Sequence, residues 1–255
     1  MINNMENQTE KTEKEKKEED ISNEYIADKQ HGAFSLAYYL VDEFHIITIG
    51  ERIRDIYVYK NGVYVLGTNF IRTEIQRILC SFVNSHQKNE IIEKIKDMTT
   101  KDRKELVVSK NLINLENGVL NIENYELIEH DPKYFFFTKI PVFYDKNADC
   151  QKIKKFFSEI LNKDDISIIQ EWFGYGLYRS YFIKKAIILV GEGDTGKTTL
   201  LRLLEKFIGK ENVAGISLQK MTSDKFAPAQ LFNKHINIYD DLSFKDIKDN
   251  GAFKI

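Results

Sequence analysis

Apolar positions recur along this chain at two spacings, and the alternation between them lays out the elements. Ala33, Leu36, Ala37, Leu40, Val41 and Phe44 fall at helix spacing and predict one buried stripe; His45–Ile49 then reads as a strand. Ile56–Tyr59 and Val63–Leu66 flank Asn61-Gly62, a dipeptide suited to the left-handed turn of a tight hairpin. Ile71, Ile75, Ile78, Leu79 and Phe82 predict a second helix, and residues 89–98 a third. The pattern then turns β-like. Leu112–Leu115 and Val119–Ile122 flank Asn117-Gly118, and the aromatic run Tyr134–Phe137 with Ile140–Tyr144 reads as buried strand rather than as a stacking platform for bases. Beyond Asp145 the spacing is helical again. Asn147 is a candidate N-cap for a helix carrying Ile153, Phe156, Phe157, Ile160 and Leu161, with Lys152, Lys154 and Lys155 on its solvated face. A further helix carries Ile169, Trp172, Phe173, Gly176 and Leu177, with Trp172 expected in the core.

Charge changes the picture at the front of the chain. From Glu10 to Asp20 only Thr12 is uncharged, so residues 1–24 are predicted to form a charged, disordered tail without chemistry. The shift at Asp145 divides the remainder into an α+β domain over 25–145 and a second domain over 146–255. The net charge of −2 gives no bulk argument for nucleic acid, so any DNA contact must come from local patches. Cys80 and Cys150 are too few for a disulfide framework and read as small, buried or half-buried thiols. The five histidines show no ligand spacing. No stretch approaches the roughly 20 apolar residues of a membrane span, and no secretory signal is present. A soluble protein of a reducing compartment, the cytoplasm, is expected.

The chemistry is concentrated in Lys184–Leu204. An apolar run, Ala186–Val190, leads into Gly191-Glu192-Gly193-Asp194-Thr195-Gly196-Lys197-Thr198-Thr199, and Leu200, Leu203, Leu204 and Phe207 follow at helix spacing. This is the order of a phosphate-binding P-loop: strand, glycine-rich loop, helix. Gly191, Gly193 and Gly196 let the backbone curl so that successive N–H groups face phosphate oxygens at a helix N-terminus. Lys197 would reach the β- and γ-phosphates of ATP, and Thr198 would ligate Mg²⁺. Gly209 is a natural stop for that helix, Val213–Leu218 a short strand, and Phe226–Leu231 a further helix. His235–Tyr239 then forms a strand ending in Asp240 and Asp241, 43 positions after Lys197. Such a pair suits a Walker B element, in which one carboxylate orients the metal shell and the next polarises water. Lys197, Asp240 and Asp241 are the catalytic candidates, Gly191–Thr199 the nucleotide-binding ones, and Thr198 and Asp240 the metal ligands.

The run from Asn111 to Ile255 resembles the superfamily-3 helicases, within them the phage, plasmid and archaeal primase–helicases related to the enzyme of large nucleocytoplasmic DNA viruses. The resembling stretches are 111–145, QEWFGYGLYRS (170–180), GEGDTGKTTL (191–200), KFAPAQLFNKHINIYDDL (225–242) and GAFKI (251–255); residues 37–65 are similar, less specifically, to the domain that precedes such helicases. The resemblance implies an AAA+-like α/β P-loop ATPase domain that is incomplete after Walker B, preceded by a smaller α+β domain. It implies a homo-hexameric ring that unwinds DNA on single-stranded or forked substrates during replication. Asp240 would take the metal side and Asp241 the water side. The DNA-contacting loop, polar sensor and arginine finger of the family fall past Ile255, so the chain alone is expected to turn over ATP poorly. With its sensor strand absent, a gap or a foreign pairing is expected between Ala186–Val190 and Ile236–Tyr239. Two other readings remain beside the helicase: a non-catalytic ATP-binding remnant or accessory subunit of such a ring, and an unrelated P-loop kinase, against which stands the scarcity of basic residues after Walker B.

Overall fold

The computed structural model describes residues 2–50 and 53–240 of this mixed α/β chain. Packing divides the chain into two units, Met1–Val107 with Pro132–Phe135, and Val108–Asp131 with Phe136–Ile255.

In place of the disordered tail predicted for 1–24, the first unit opens with one helix, α1 (Ile2–Ala27). The charged run conceals a docking face. Ile21 and Tyr25 are buried one turn apart, and between them and the solvent Glu18 is only 8% exposed. Its carboxylate accepts both Arg77 guanidinium nitrogens (2.6 and 2.7 Å) and the Tyr39 hydroxyl (2.8 Å). The Arg77 bonds hold the Glu18 carboxyl below its ordinary range against the opposing cost of burial. A buried carboxylate is tolerated because its charge is paired and hydrogen-bonded.

Asp28 caps α2 (Lys29–Phe44), its side chain accepting from the N–H groups of Gln30 and His31. Helix α2 buries the predicted stripe Ala33, Leu36, Ala37 and Leu40, while Val41 and Phe44 are partly buried against the same core. Gly32 lies against α1: a Cβ built there would fall 2.2 Å from the Tyr25 Cα. Strand β1 (Ile47–Ile49) pairs antiparallel with β2 (Asp55–Lys60), which turns through Asn61 and Gly62, both at positive φ, into β3 (Val63–Leu66). This is the hairpin the Asn-Gly pair predicts. Helices α3 (Thr68–Leu79) and α4 (Ser85–Thr99) cover it, α4 starting with a capping box between Asn84 and Gln87. The short β4 (Thr100–Lys101) joins β1 in parallel, giving the order β3-β2-β1-β4. At that junction the buried Thr99 hydroxyl donates to the Ile95 carbonyl and accepts from Thr48 at 2.8 Å.

The second unit starts with a meander: β5 (Leu112–Leu115), β6 (Gly118–Asn121) and β7 (Glu126–Ile128). The aromatic stretch that follows is not the strand predicted. Pro132–Tyr134 form a 3₁₀ turn, Phe135 has φ 52°, and only Ile140 makes a bridge, to Leu115. Ile140 packs with Ile113, Leu115 and Leu120 against Leu204 and Ile208. That shared core places the meander with the second unit, whereas composition alone drew the boundary near 145. Helix α5 (Gln151–Ile160) begins after Cys150 rather than at Asn147, and no side chain caps it. Helix α6 (Lys163–Leu177) follows, then α7 (Lys197–Ile208), α8 (Leu218–Ser223) and a 3₁₀ turn (Ala227–Leu231) where a helix was predicted. Trp172 is only partly buried, against the cluster around Leu204 and Ile208. Strands β8 (Val213–Ala214) and β9 (Ile236–Asn237) form a two-stranded parallel ladder. Both cysteines are exposed, contrary to the buried reading: Cys80 sits where α3 ends in a 3₁₀ turn, Cys150 just ahead of α5.

Candidate functional site

The predicted glycine-rich loop lies between residues 186–190 and α7. Two positions in it carry positive φ, Asp194 (58°) and Gly196 (86°), so the left-handed turn needs a glycine only at Gly196. A Cβ there would also press on Ile160 at 3.0 Å, while Gly193 stands in open space. Gly196 is the N-cap of α7 and supplies no side chain to it, so the first-turn N–H groups have no side-chain cap and face outward with the positive end of the helix dipole. Leu200, Leu204 and Ile208 bury the opposite face and fix the helix.

Lys197 turns back over the loop. Its ammonium donates to the carbonyls of Gly191 (2.9 Å) and Glu192 (2.5 Å) and to the Thr195 hydroxyl (3.1 Å). Thr195 in turn donates to the Glu192 carbonyl (3.0 Å). A cation thus sits at the mouth of a loop whose helix end also favours anions. One residue on, the Thr198 hydroxyl meets the Asp240 carboxylate at 3.5 Å, bringing together two predicted metal ligands that lie 42 residues apart. This contact is long, and both residues are exposed. Asp241 lies outside the described residues, as do residues 251–255. Glu192, Asp194 and Thr199 are exposed around the loop. The donor set suits a hard divalent cation such as Mg²⁺, being a hydroxyl and a carboxylate without nitrogen or sulfur.

The run leading into the loop behaves differently from the strand predicted. Among the described residues, 186–190 has no ladder partner, and no pairing joins it to β9. Ile187 and Leu189 pack inward against Phe157, Ile169 and Leu200, whereas Ile188 and Val190 are 63% and 90% exposed. The alternation of a strand is present without its ladder, because inter-strand hydrogen bonds need a neighbouring strand and none is paired with this run. Of the gap or foreign pairing expected here, the foreign pairing is not present among the described residues.

Two features escaped the motif reading. A cleft of about 400 Å³ opens beside Thr198 and Asp240 and is lined by Leu201, Arg202, Glu205 and Ile238 among others. Arg202 lies one helical turn beyond Thr198, a spacing that places both on one face and could have flagged it.

The second feature stands where β9 begins. Arg179 donates to the Thr138 hydroxyl and lies 5.3 Å from the Phe136 ring. Thr138 meets His235 Nε2 at 3.0 Å, and His235 Nδ1 lies 3.2 Å from the Gly176 carbonyl. The carbonyl can only accept, so Nδ1 carries the proton and Nε2 accepts from Thr138. Burial, and then the Arg179 charge, push the His235 pKa down to about 4. Burial also lowers Arg179, to about 10. The unfolded chain takes up a proton at His235 near pH 6.5, and the folded chain resists until about pH 4. This contribution to stability is therefore complete above about pH 6.5 and declines as the pH falls towards 4. Between about pH 7 and about pH 5 the second unit should lose about 2 kcal/mol from this group. Urea midpoints at the two pH values check it, and His235→Asn should flatten the difference.

No helix among the described residues is long and apolar enough to cross a membrane. No curated protein matches the chain. Residues 189–255, which include the glycine-rich loop and Asp240, match a family of unknown function (DUF5906). Residues 6–162, well over half of the chain, match the family model described as D5 N terminal like. The chain therefore belongs to the D5 N-terminal-like family, which places it among the phage and viral primase–helicases of DNA replication.

Proposed function

We propose that this chain is an ATP-dependent DNA helicase subunit of superfamily 3, with its nucleotide site at Gly191–Thr199 and Asp240. One observation carries the reading: Lys197 folds onto the Gly191 and Glu192 carbonyls at the start of α7, while Thr198 and Asp240 meet beside it at 3.5 Å. In this reading the α7 N–H groups and Lys197 hold the β- and γ-phosphates of ATP. The Thr198 hydroxyl and the Asp240 carboxylate hold Mg²⁺, which supplies charge neutralisation to the phosphates when bound. Asp241 is assigned to orienting the attacking water. Arg202 lines the cleft that adjoins Thr198 and Asp240 and would supply a further cation to a bound nucleotide there.

The non-catalytic ATP-binding reading draws on a different observation: among the described residues the 186–190 run joins no sheet, so no strand pairing supports the loop. Titration of the chain with a fluorescent ATP analogue in Mg²⁺ separates these ideas. Saturable binding competed by ATP is expected under both, and its absence refutes the nucleotide site. Unwinding of a forked duplex with DNA-stimulated hydrolysis selects the helicase, whereas binding alone is common to both readings.

A further inference from the structure

Between Glu171 and Glu192 the chain contains no acidic residue, while Arg179, Lys184 and Lys185 are all cationic. Against a whole-chain charge of −2, this is a local reversal of sign. The same stretch carries aromatic side chains that the core does not absorb. Tyr181 and Phe182 are 67% and 66% exposed. They are not on a loose loop. Phe182 stands edge-to-face with Tyr175 (5.5 Å) and with Tyr178 (5.7 Å). The Tyr175 hydroxyl accepts from the Ile183 N–H at 3.1 Å and donates to the Ile183 carbonyl at 3.4 Å, clamping the backbone just after the two rings. Lys184 and Lys185 follow at once, both exposed.

Exposed large apolar rings are costly on a surface that serves no partner. Two exposed rings, one of them braced by Tyr175 and Tyr178, followed at once by two lysines in a stretch of sequence without acids, have the makeup of a single-strand binding surface. Bases stack on the aromatic faces without regard to sequence, and the lysines neutralise phosphates. A protein partner matched by charge would have to be acidic and would leave the ring faces unexplained; a nucleic-acid strand uses both features. We infer that Tyr181, Phe182, Lys184 and Lys185 form a contact surface for single-stranded DNA, separate from the nucleotide site. The choice of DNA over RNA rests on the helicase reading; the stacking surface itself does not.

Fluorescence anisotropy of a labelled oligothymidine of roughly 30 nucleotides provides the test, with the fluorescent ATP analogue titrated in parallel. Tyr181→Ala removes one exposed ring and should weaken oligonucleotide binding about 10-fold. Lys184→Ala/Lys185→Ala should reduce the slope of log affinity against log salt by about 1.4. Both variants should bind the ATP analogue as the parent does. Failure of the parent to bind the oligonucleotide, or unchanged affinity and salt slope in both variants, overturns the inference. So does a change confined to self-association in sedimentation, which would assign the patch to a protein contact. Loss of ATP binding in the parent with the DNA results intact would refute the nucleotide site and leave this surface standing.

Discussion

Lys197→Ala is expected to lower affinity for ATP by about 100-fold, because two charge-assisted bonds to phosphate oxygens, at about 1.5 kcal/mol each or more, are lost together. In the free protein the ammonium rests on the Gly191 and Glu192 carbonyls and the Thr195 hydroxyl, all on an exposed loop. Water can replace it there, so circular dichroism and the urea midpoint should be unchanged. Photolabelling by a reactive ATP analogue measures the loss. Lys197→Arg sharpens the test: it keeps the charge, but a planar fork does not present the compact ammonium that fits over the loop, so labelling should fall short of the parent. Equal labelling of parent and alanine variant would show that the ammonium does not meet nucleotide, and the proposed site would fail with it.

Gly32→Ala is expected to cost about 3 kcal/mol or more, against the usual preference of helices for alanine. A Cβ at Gly32 would fall 2.2 Å from the Tyr25 Cα, 2.4 Å from its nitrogen and 2.8 Å from its Cβ. These are mainly backbone atoms of α1, so no side-chain rotation relieves the clash. Either α1 and α2 move apart, opening the core around Leu36 and Leu40, or the docked part of α1 lifts away and strips Glu18 from Arg77. Gly174→Ala provides the internal contrast. It lies within α6, nothing approaches its Cβ position within 4 Å, and there alanine should add up to about 1 kcal/mol of stability. Urea midpoints of the two variants should therefore move in opposite directions. Hydrogen exchange should rise across residues 13–27 in Gly32→Ala alone; a Gly32 variant as stable as the parent would mean the helices do not pack as closely as described.

The elements legible in the sequence are those whose cause is local. Asn61-Gly62 specifies a hairpin because both residues tolerate positive φ, whereas the helix predicted over 89–98 starts earlier, at Ser85, on a capping box between Asn84 and Gln87 that the apolar spacing does not mark. The stripe from Ala33 to Leu40 needs only helical periodicity. The glycine-rich loop was equally readable, since a left-handed Gly196 ahead of an amphipathic run calls for few distant partners. What the tertiary structure decided depends on residues far apart in the chain. Glu18 looks like one more charge in a solvated run until Arg77, 59 positions away, pairs with it. Tyr134–Tyr144 has the composition of a strand, yet only Ile140 finds a bridge, because a ladder needs a neighbour and apolar residues can be buried without one. His235 is held below the ordinary histidine range because burial, and then the Arg179 charge, disfavour its cation, and both come only with folding. Likewise the meeting of Thr198 with Asp240 depends on β9 taking its place beside β8, a distant pairing that residue spacing can suggest and only packing can bring about.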